Sequence, residues 1–488
     1  MISYAPGANA DNTPVHTRRI MGIETEYGLI ATRGNKIRCN VDSRLCRQCS
    51  SPDEVARCMF RPVVEEYGST NVFTDNASRL YLDVGNHPEV ATAECDSLSQ
   101  LIAYERAGDR MVDDLARIAE KRLRDMGCAE SIYLFKNNVD SAGNSYGCHE
   151  NYLVSRQVVL KDMGRALLPF LITRQLIAGA GLIRAPRGSE PAQFVLSQRA
   201  DKMWDGISSA TTRSRPMINT RDEPHGDSTR FRRMHVIVGD SNMAEPTSAL
   251  KVGSMQLVIE MLEAGVDLPE FDLADPIAVI QEVSRDLTGR ARVELADGGS
   301  VAALDIQRRL CERARDWLGQ RDDCGTPNAE LARVVDLWER TLDAIDARDL
   351  ARVGTEIDWV IKLQLLEQFR DRLSCDWSHP KLAQVDFTYH DVRPGRGLYN
   401  ALVDRGRVAR WVTDADIAKA MHHAPATTRA NLRGKFLRTA RELNAETSVD
   451  WVRMKINRPE PYTEEFADPF ACRDPRLDAL LDYMRVNA

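Results

Sequence analysis

The sequence predicts an α+β or mixed α/β fold, and three observations carry that reading. Short stretches with period-two alternation and longer stretches with helical periodicity follow one another in irregular order, without the strict alternation of a parallel sheet. The 488 residues are 43% hydrophobic and 28% charged, which is enough apolar material for a sizeable core and more chain than one ordinary domain uses. Beyond a polar N-terminal tail, no low-complexity tract or internal repeat breaks the pattern.

The elements follow in order. Residues 1–17 lack a basic region followed by an apolar block, so they read as a disordered tail and not as a secretory signal. RIMGIETEYGLI (19–30) alternates like a strand, and a polar loop runs from about Asn35 to Ser50. SPDEVARCMFRPVVEEY (51–67) is a helix with Ser51 as N-cap, Pro52 at its first position and Glu54 closing a capping box. NVFTDNASRLYLDVG (71–85) is a hairpin turning at TDNAS. A long amphipathic helix spans 96–127, capped by Asp96 and ended by Gly127. Residues 131–156 read as a strand pair about a DSAGNS turn. Helices near 160–178, a strand at 232–240, and helices at 246–264, 328–347 and 355–373 come next. After a mixed region at 380–415, a smaller basic and apolar segment, 416–488, contains VDWVRMKIN and a terminal helix. The expected organisation is a tail (1–17), a main domain (18–415) and a small C-terminal domain (416–488).

Charge and cysteine usage exclude several classes. A net charge of −7 gives no support for nucleic-acid binding, so any anionic partner must meet local basic clusters. The longest apolar run, 167–183, is interrupted by Arg174 and Gln175 and reads as a buried helix, not a membrane span. A cytoplasmic protein is expected. The eleven cysteines are mostly scattered, unlike a secreted disulfide framework. Cys39, Cys46, Cys49 and Cys58 stand closer together, and the C-x-x-C pair of Cys46 and Cys49 fits either a zinc site or inert reduced thiols.

The opening strand raises the chemical question. Met21, Ile23, Thr25 and Tyr27 fall on one face, and Gly22, Glu24, Glu26 and Gly28 on the other. Two carboxylates roughly 6–7 Å apart repel unless something neutralises them. They are either a solvated acid pair or anchors for divalent cations. In RLYLD, Arg79, Tyr81 and Asp83 share a face, and Glu89 follows after a turn. Arg79 and Asp83 could be an ordinary ion pair, or a phosphate clamp and a base. CHENY supplies His149 and Asn151 on one strand face, RRMHVIVGD supplies Arg233 and His235, and TTRSRPMINTRDEPH supplies Arg213, Arg215 and Arg221. A lone strand histidine is usually a core residue. Two of them, with several glutamates and arginines, suit a metal–polyphosphate site. No G-x-x-x-x-G-K-S/T loop is present, which excludes the P-loop class, and the glycines of DVRPGRG (391–397) lack a strand-to-helix context.

The stretches GIETEYG, SPDEVAR, SRLYLDVG, HPE, ATAECDSL, IYLFKNNVDSAGNSYGCHENYL, WDGISSATTRSRPMINTRDEPH, RRMHVIVGDSN, YHDVRPGRG and VDWVRMKIN together resemble the Pup ligase/deamidase family, which is related to glutamine synthetase. The resemblance runs in order from Arg18 to about residue 485. It implies an α+β fold with a glutamine synthetase-like antiparallel-sheet cradle packed with helices, plus a small C-terminal α/β domain. It also implies ATP and Mg²⁺ as cofactors, Pup as partner and lysine-bearing proteins as substrates. The implied reaction phosphorylates the γ-carboxylate of Pup's C-terminal glutamate, and a substrate lysine then displaces the phosphate. Carried over by motif, Glu24, Tyr81 and Glu89 resemble metal ligands, Arg79, Thr92 and Trp451 resemble ATP contacts, and Asp83 resembles the base. Glu26, His149 and His235 complete the metal and nucleotide set, and Arg213, Arg215 and Arg221 are candidates to hold phosphate or the glutamyl carboxylate. GIETEYG, LDVG and the short segment before the first helix favour the ligase over the deamidase/depupylase branch. The other alternative is a silent Pup- or metal-binding adaptor. An acidic, disordered partner calls for an arginine-lined groove, with 213–221, 230–233 and 393–396 as candidate segments.

Overall fold

A computed structural model describes residues 16–33, 51–83, 85–125, 130–140, 142–210 and 214–487. The strands are β1 (Met21–Glu26), β2 (Gly28–Arg33), β3 (Asn71–Phe73), β4 (Arg79–Leu82), β5 (Pro88–Ala91), β6 (Glu130–Phe135), β7 (Cys148–Ser155), β8 (Leu182–Arg184), β9 (Gln193–Val195), β10 (Asp205–Ser208), β11 (Pro216–Asn219) and β12 (Phe231–Val236). Eight of them form one sheet in the order β10-β11-β12-β7-β1-β5-β4-β3, antiparallel except for the β10–β11 pair. Helices cover one face of this sheet, so the α+β expectation holds.

The alternation read in the opening strand sets this arrangement. Met21, Ile23 and Thr25 are buried while Gly22, Glu24 and Glu26 are partly open. The buried set joins Tyr152 and Val154 of β7 and packs on helices Leu98–Asp125 and Glu245–Glu263. Helix Glu245–Glu263 is buried on every side, so its charged residues need internal partners. Glu260 takes the Arg321 guanidinium at 2.7 Å, Glu263 takes Arg19 at 2.5 Å, and Lys251 donates to the Asp240 carbonyl at 2.8 Å. Helix Pro52–Tyr67 carries the predicted Ser51–Glu54 capping box and buries Val55, Met59, Phe60 and Val63.

Three local expectations are corrected. β6 and β7 do not pair with each other: β6 pairs with β2, and β7 lies between β1 and β12. A turn joins them, but β2 continues β1 into a separate two-stranded sheet and draws β6 with it. The long helix begins at Leu98, whose N–H donates to the Thr326 hydroxyl at 3.1 Å, while the Asp96 carboxylate accepts from Arg18 and Thr427 instead of capping. Arg393, offered for a surface groove, is buried on Asp113 at 2.7 Å and Glu120 at 2.5 Å. The DVRPGRG glycines serve the same turn. A Cβ at Gly397 would sit 1.9 Å from the Asp391 carbonyl oxygen, and Gly395 adopts φ +77°.

Near the C-terminus, Leu432, Phe436, Met454, Ile456, Phe466, Leu480 and Met484 form a core of their own. It lies among helix Ala430–Glu442, a small antiparallel sheet of residues 447–449, 453–456 and 462–465, and helix Pro475–Val486. Among the described residues no helix is long and apolar enough to cross a membrane.

Candidate functional site

Strand register assembles the site on the open face of the large sheet. Residues directly opposite each other share a face. Tyr81 faces Glu89, which faces Glu26. One step along, Arg79 faces Ala91, then Glu24, then His149. Gly22, Asn151 and His235 make the third row. Nine residues named from the sequence thus meet on one surface, drawn from five strands.

Glu24 is the centre of this surface. Its Oε2 lies 3.1 Å from His149 Nδ1 and 3.8 Å from His235 Nε2, and its Oε1 accepts from Asn151 Nδ2 at 3.0 Å. Asn151 in turn accepts from Arg233 at 2.8 Å. Burial opposes the charge on Glu24, but the His149 hydrogen bond and the nearby His235, His149 and Arg233 outweigh it and hold the carboxyl well below its usual range. Glu89 shows the opposite balance. Burial and then the Glu24 charge push it well above the usual range, against the hydrogen bond from Tyr81. Burial, Glu24 and Glu89 likewise keep the Tyr81 phenol protonated. Burial lowers His235 to about 3, so its imidazole is neutral near pH 7 and has a lone pair to offer.

A metal ion fits this donor set. One donor atom each from Glu24, His149 and His235 lie within 4.8 Å of one another, and the buried His235 Nε2 has no hydrogen-bond partner. Three carboxylates crowded on one face are also the repulsion that a divalent cation relieves.

Glu26 is held differently. His87 Nδ1 lies 2.6 Å from one of its oxygens and the Gly147 N–H donates to the other at 2.5 Å. Gly147 has little room for a side chain, because a Cβ there would lie 2.7 Å from His149 Nε2. Asp83 follows β4 at the same end, exposed, with its N–H donating to the His87 carbonyl. Its charge adds to the forces on Glu89.

A cavity of about 320 Å³ opens beside Glu24. Thr92, Arg79, Tyr81, Arg233 and His235 line it toward the sheet, and His225, Arg429 and Trp451 close its far side. Thr92 Oγ1 accepts the Ile23 N–H at 3.0 Å, which leaves its hydroxyl proton for another acceptor. Arg79 lies 4.3 Å from the Tyr81 ring and donates to Asn71 at 2.8 Å. Gly22 lines the cavity, where its lack of a side chain leaves room.

The remaining arginines lie elsewhere. Arg215 stacks on the exposed Trp204 at 4.9 Å, and Arg221 pairs with Glu223 at 2.8 Å; neither lines the cavity. Arg213, Cys39, Cys46 and Cys49 fall outside the described residues. Cys58 sits partly buried on helix Pro52–Tyr67. Sequence reasoning gave too little weight to Arg233, and passed over Glu94, Arg429, His87 and Gly147. HPE and CHENY contain or adjoin two of them, but nothing local reveals that His87 and Gly147 both turn toward Glu26.

The family model described as Pup-ligase protein matches residues 19–455. The chain is 64% identical over 478 residues to a Pup–protein ligase of Corynebacterium aurimucosum, covering 98% of each chain. Among solved structures it is similar to the ligase PafA in its crystallised complex with the prokaryotic ubiquitin-like protein Pup, with a TM-score of 0.92, 53% identity, and coverage of 98% of this chain and 93% of that one. It is also similar to PafA in complex with ADP, with a TM-score of 0.84, 54% identity, and coverage of 94% and 97%. The chain belongs to the Pup-ligase family.

Proposed function

We propose that this protein is an ATP-dependent ligase that joins the γ-carboxylate of Pup's C-terminal glutamate to substrate lysines through a γ-glutamyl phosphate, marking those proteins for proteasomal degradation in the cytoplasm. The observation that carries this reading is the continuous surface from the cavity, across Glu24, Glu89 and Glu26, to the exposed Asp83. That one similar structure holds ADP and another holds Pup supports a site for a nucleotide and for Pup in this chain.

In this reading Trp451 and Thr92, which line the cavity with Glu24, would hold ATP there. Arg79 and Arg233 neutralise phosphate charge. Glu24, Glu89, Glu26, Tyr81, His149 and His235 would hold Mg²⁺, which supplies charge neutralisation between the two reacting anions. Tyr81 takes this part through its oxygen while also holding Glu89. The neutral imidazoles add lone pairs without adding negative charge. Glu26 is fixed by His87 and Gly147, so it cannot swing toward an incoming ammonium. Asp83 is free to do so. It docks the lysine ammonium and takes its proton; the free amine then attacks the acyl carbon, the C–O bond to phosphate breaks, and inorganic phosphate leaves as the isopeptide bond forms. The C-terminal domain (416–488) contributes Trp451 and closes the nucleotide end.

The test is Asp83→Asn, assayed for Pup conjugation to a lysine substrate. Conjugation is lost while the melting temperature is kept; full conjugation would sink the base assignment. Net cleavage of a Pup conjugate by the unaltered protein, without conjugation, would instead make it a depupylase. No Pup-dependent ATP turnover would make it an adaptor.

A further inference from the structure

Glu94 lines the far side of the cavity yet makes no bond to the sheet's open-face rows. It is buried, and both of its oxygens are taken by two arginines from the C-terminal part of the chain. Arg433 donates to Oε2 and Oε1, each at 2.7 Å, and Arg429 donates to Oε1 at 2.9 Å. The same guanidiniums reach further. Arg433 donates to the Trp451 carbonyl at 2.7 Å and lies beside the Phe73 and Trp451 rings, 4.7 and 5.1 Å from their centroids. Arg429 donates to the His225 carbonyl at 2.7 Å and the Phe466 carbonyl at 2.9 Å. Trp451 meets Phe73 edge-on at 4.9 Å and His225 at 5.9 Å.

One carboxylate thus gathers two buried cations, and each cation fixes one wall of the cavity. Without the carboxylate, two guanidiniums would share a buried space with only Asp468 acting against the charge on Arg429, and they would separate. Trp451 and His225 would move with them. These bonds lead away from Glu26, Asp83 and His87, where acyl transfer is placed, so the effect should fall on nucleotide binding.

We propose that Glu94 is a positioning residue for the nucleotide: through Arg433 and Arg429 it sets Trp451 and His225 as walls of the cavity and so governs nucleotide affinity. This rests on the reading that ATP occupies the cavity.

The experiment uses the full chain. ADP affinity is measured by calorimetry with excess Mg²⁺, and ATP KM and kcat are measured in Pup conjugation at saturating Pup. Glu94→Gln should weaken ADP and raise the ATP KM by about tenfold or more, with kcat at saturating ATP within about twofold. The double variant Glu94→Gln/Trp451→Ala should lose less than the sum of the two single losses, because Glu94 acts in part through Trp451 and otherwise through His225. Arg433→Lys keeps the charge but loses the fork that bridges Glu94 and Trp451, so it should show the same KM–kcat split; it carries the test if Glu94→Gln does not fold. Unchanged affinity, fully additive losses, or a fall in kcat with constant KM would overturn the proposal. If Trp451→Ala itself leaves ADP affinity unchanged, the placement of the nucleotide has failed, and the positioning role fails with it.

Discussion

Replacing Gly147 with alanine tests the metal surface without removing any proposed ligand. The Cβ would lie 2.7 Å from His149 Nε2, and 3.4 Å from Glu26 Oε2, where contact is ordinary. The backbone at Gly147 is outside the left-handed region, so alanine fits its conformation. The imidazole therefore has to retreat by about 0.7 Å to reach van der Waals distance. His149 Nδ1 now lies 3.1 Å from Glu24, and a shift of that size along the contact takes it to about 3.8 Å, past hydrogen-bond range. Loosening an orienting contact of this kind costs about 10–100-fold in metal affinity. The Gly147 N–H to Glu26 is retained, so the fold and the Asp83 end stay as they are. The assay is Pup-dependent ATP turnover as a function of Mg²⁺ concentration. The half-maximal concentration should rise by about tenfold or more, with activity restored at high Mg²⁺ and the melting temperature unchanged. In a His149→Ala background the same change should add nothing. An unchanged Mg²⁺ dependence, or a loss that Mg²⁺ does not restore, would refute the reasoning.

Other predictions follow from buried charge. Burial opposes the Glu94 charge, but Arg433 and Arg429 outweigh it and lower its carboxyl from 4.5 to about 2. Its folded value is depressed, so its contribution of about 3 kcal/mol is complete above pH 4.5 and is lost as pH falls toward 2. Unfolding in urea between pH 6 and 3 should show that loss, and Glu94→Gln should flatten it; an equal pH slope in the variant would reject the assignment. Lys136 is fully buried and bonded to Glu105 at 2.9 Å and Asp109 at 3.2 Å; Asp109 keeps Arg106 at 3.0 Å, so Lys136→Met should destabilise by about 3–5 kcal/mol chiefly through the unpaired Glu105. A loss below about 1 kcal/mol would mean that water or Arg106 compensates.

The sequence made one half of the site legible. Alternation in GIETEYG and RLYLD assigned faces correctly, because side-chain direction in a strand is local. The capping box of the first helix was equally readable. Partner choice was not. Nothing near residues 131–156 reveals that β6 leaves with β2 while β7 sits against β1, because strand pairing is decided by segments far apart in the chain. Buried charges were hidden for a related reason. Glu94, Arg429 and Arg433 look like surface residues until the fold closes over them, and Arg393 looked like part of a basic surface when it is an internal ion pair. Arg233 was visible beside His235 on its strand but lost weight to the richer arginine run at 213–221. Only the sheet register brings it to Glu24.

The cavity's two sides come from opposite ends of the chain: Gly22 and Glu24 near the start, Arg429 and Trp451 near the finish. A ribosome delivers the first long before the second. A nascent or prematurely ended chain can therefore carry the strands with Glu24, Asp83 and Glu89 and still lack the wall that completes the pocket. Under the proposed placement of the nucleotide, such incomplete copies would not turn over ATP, and the end of the chain would license the work of its beginning.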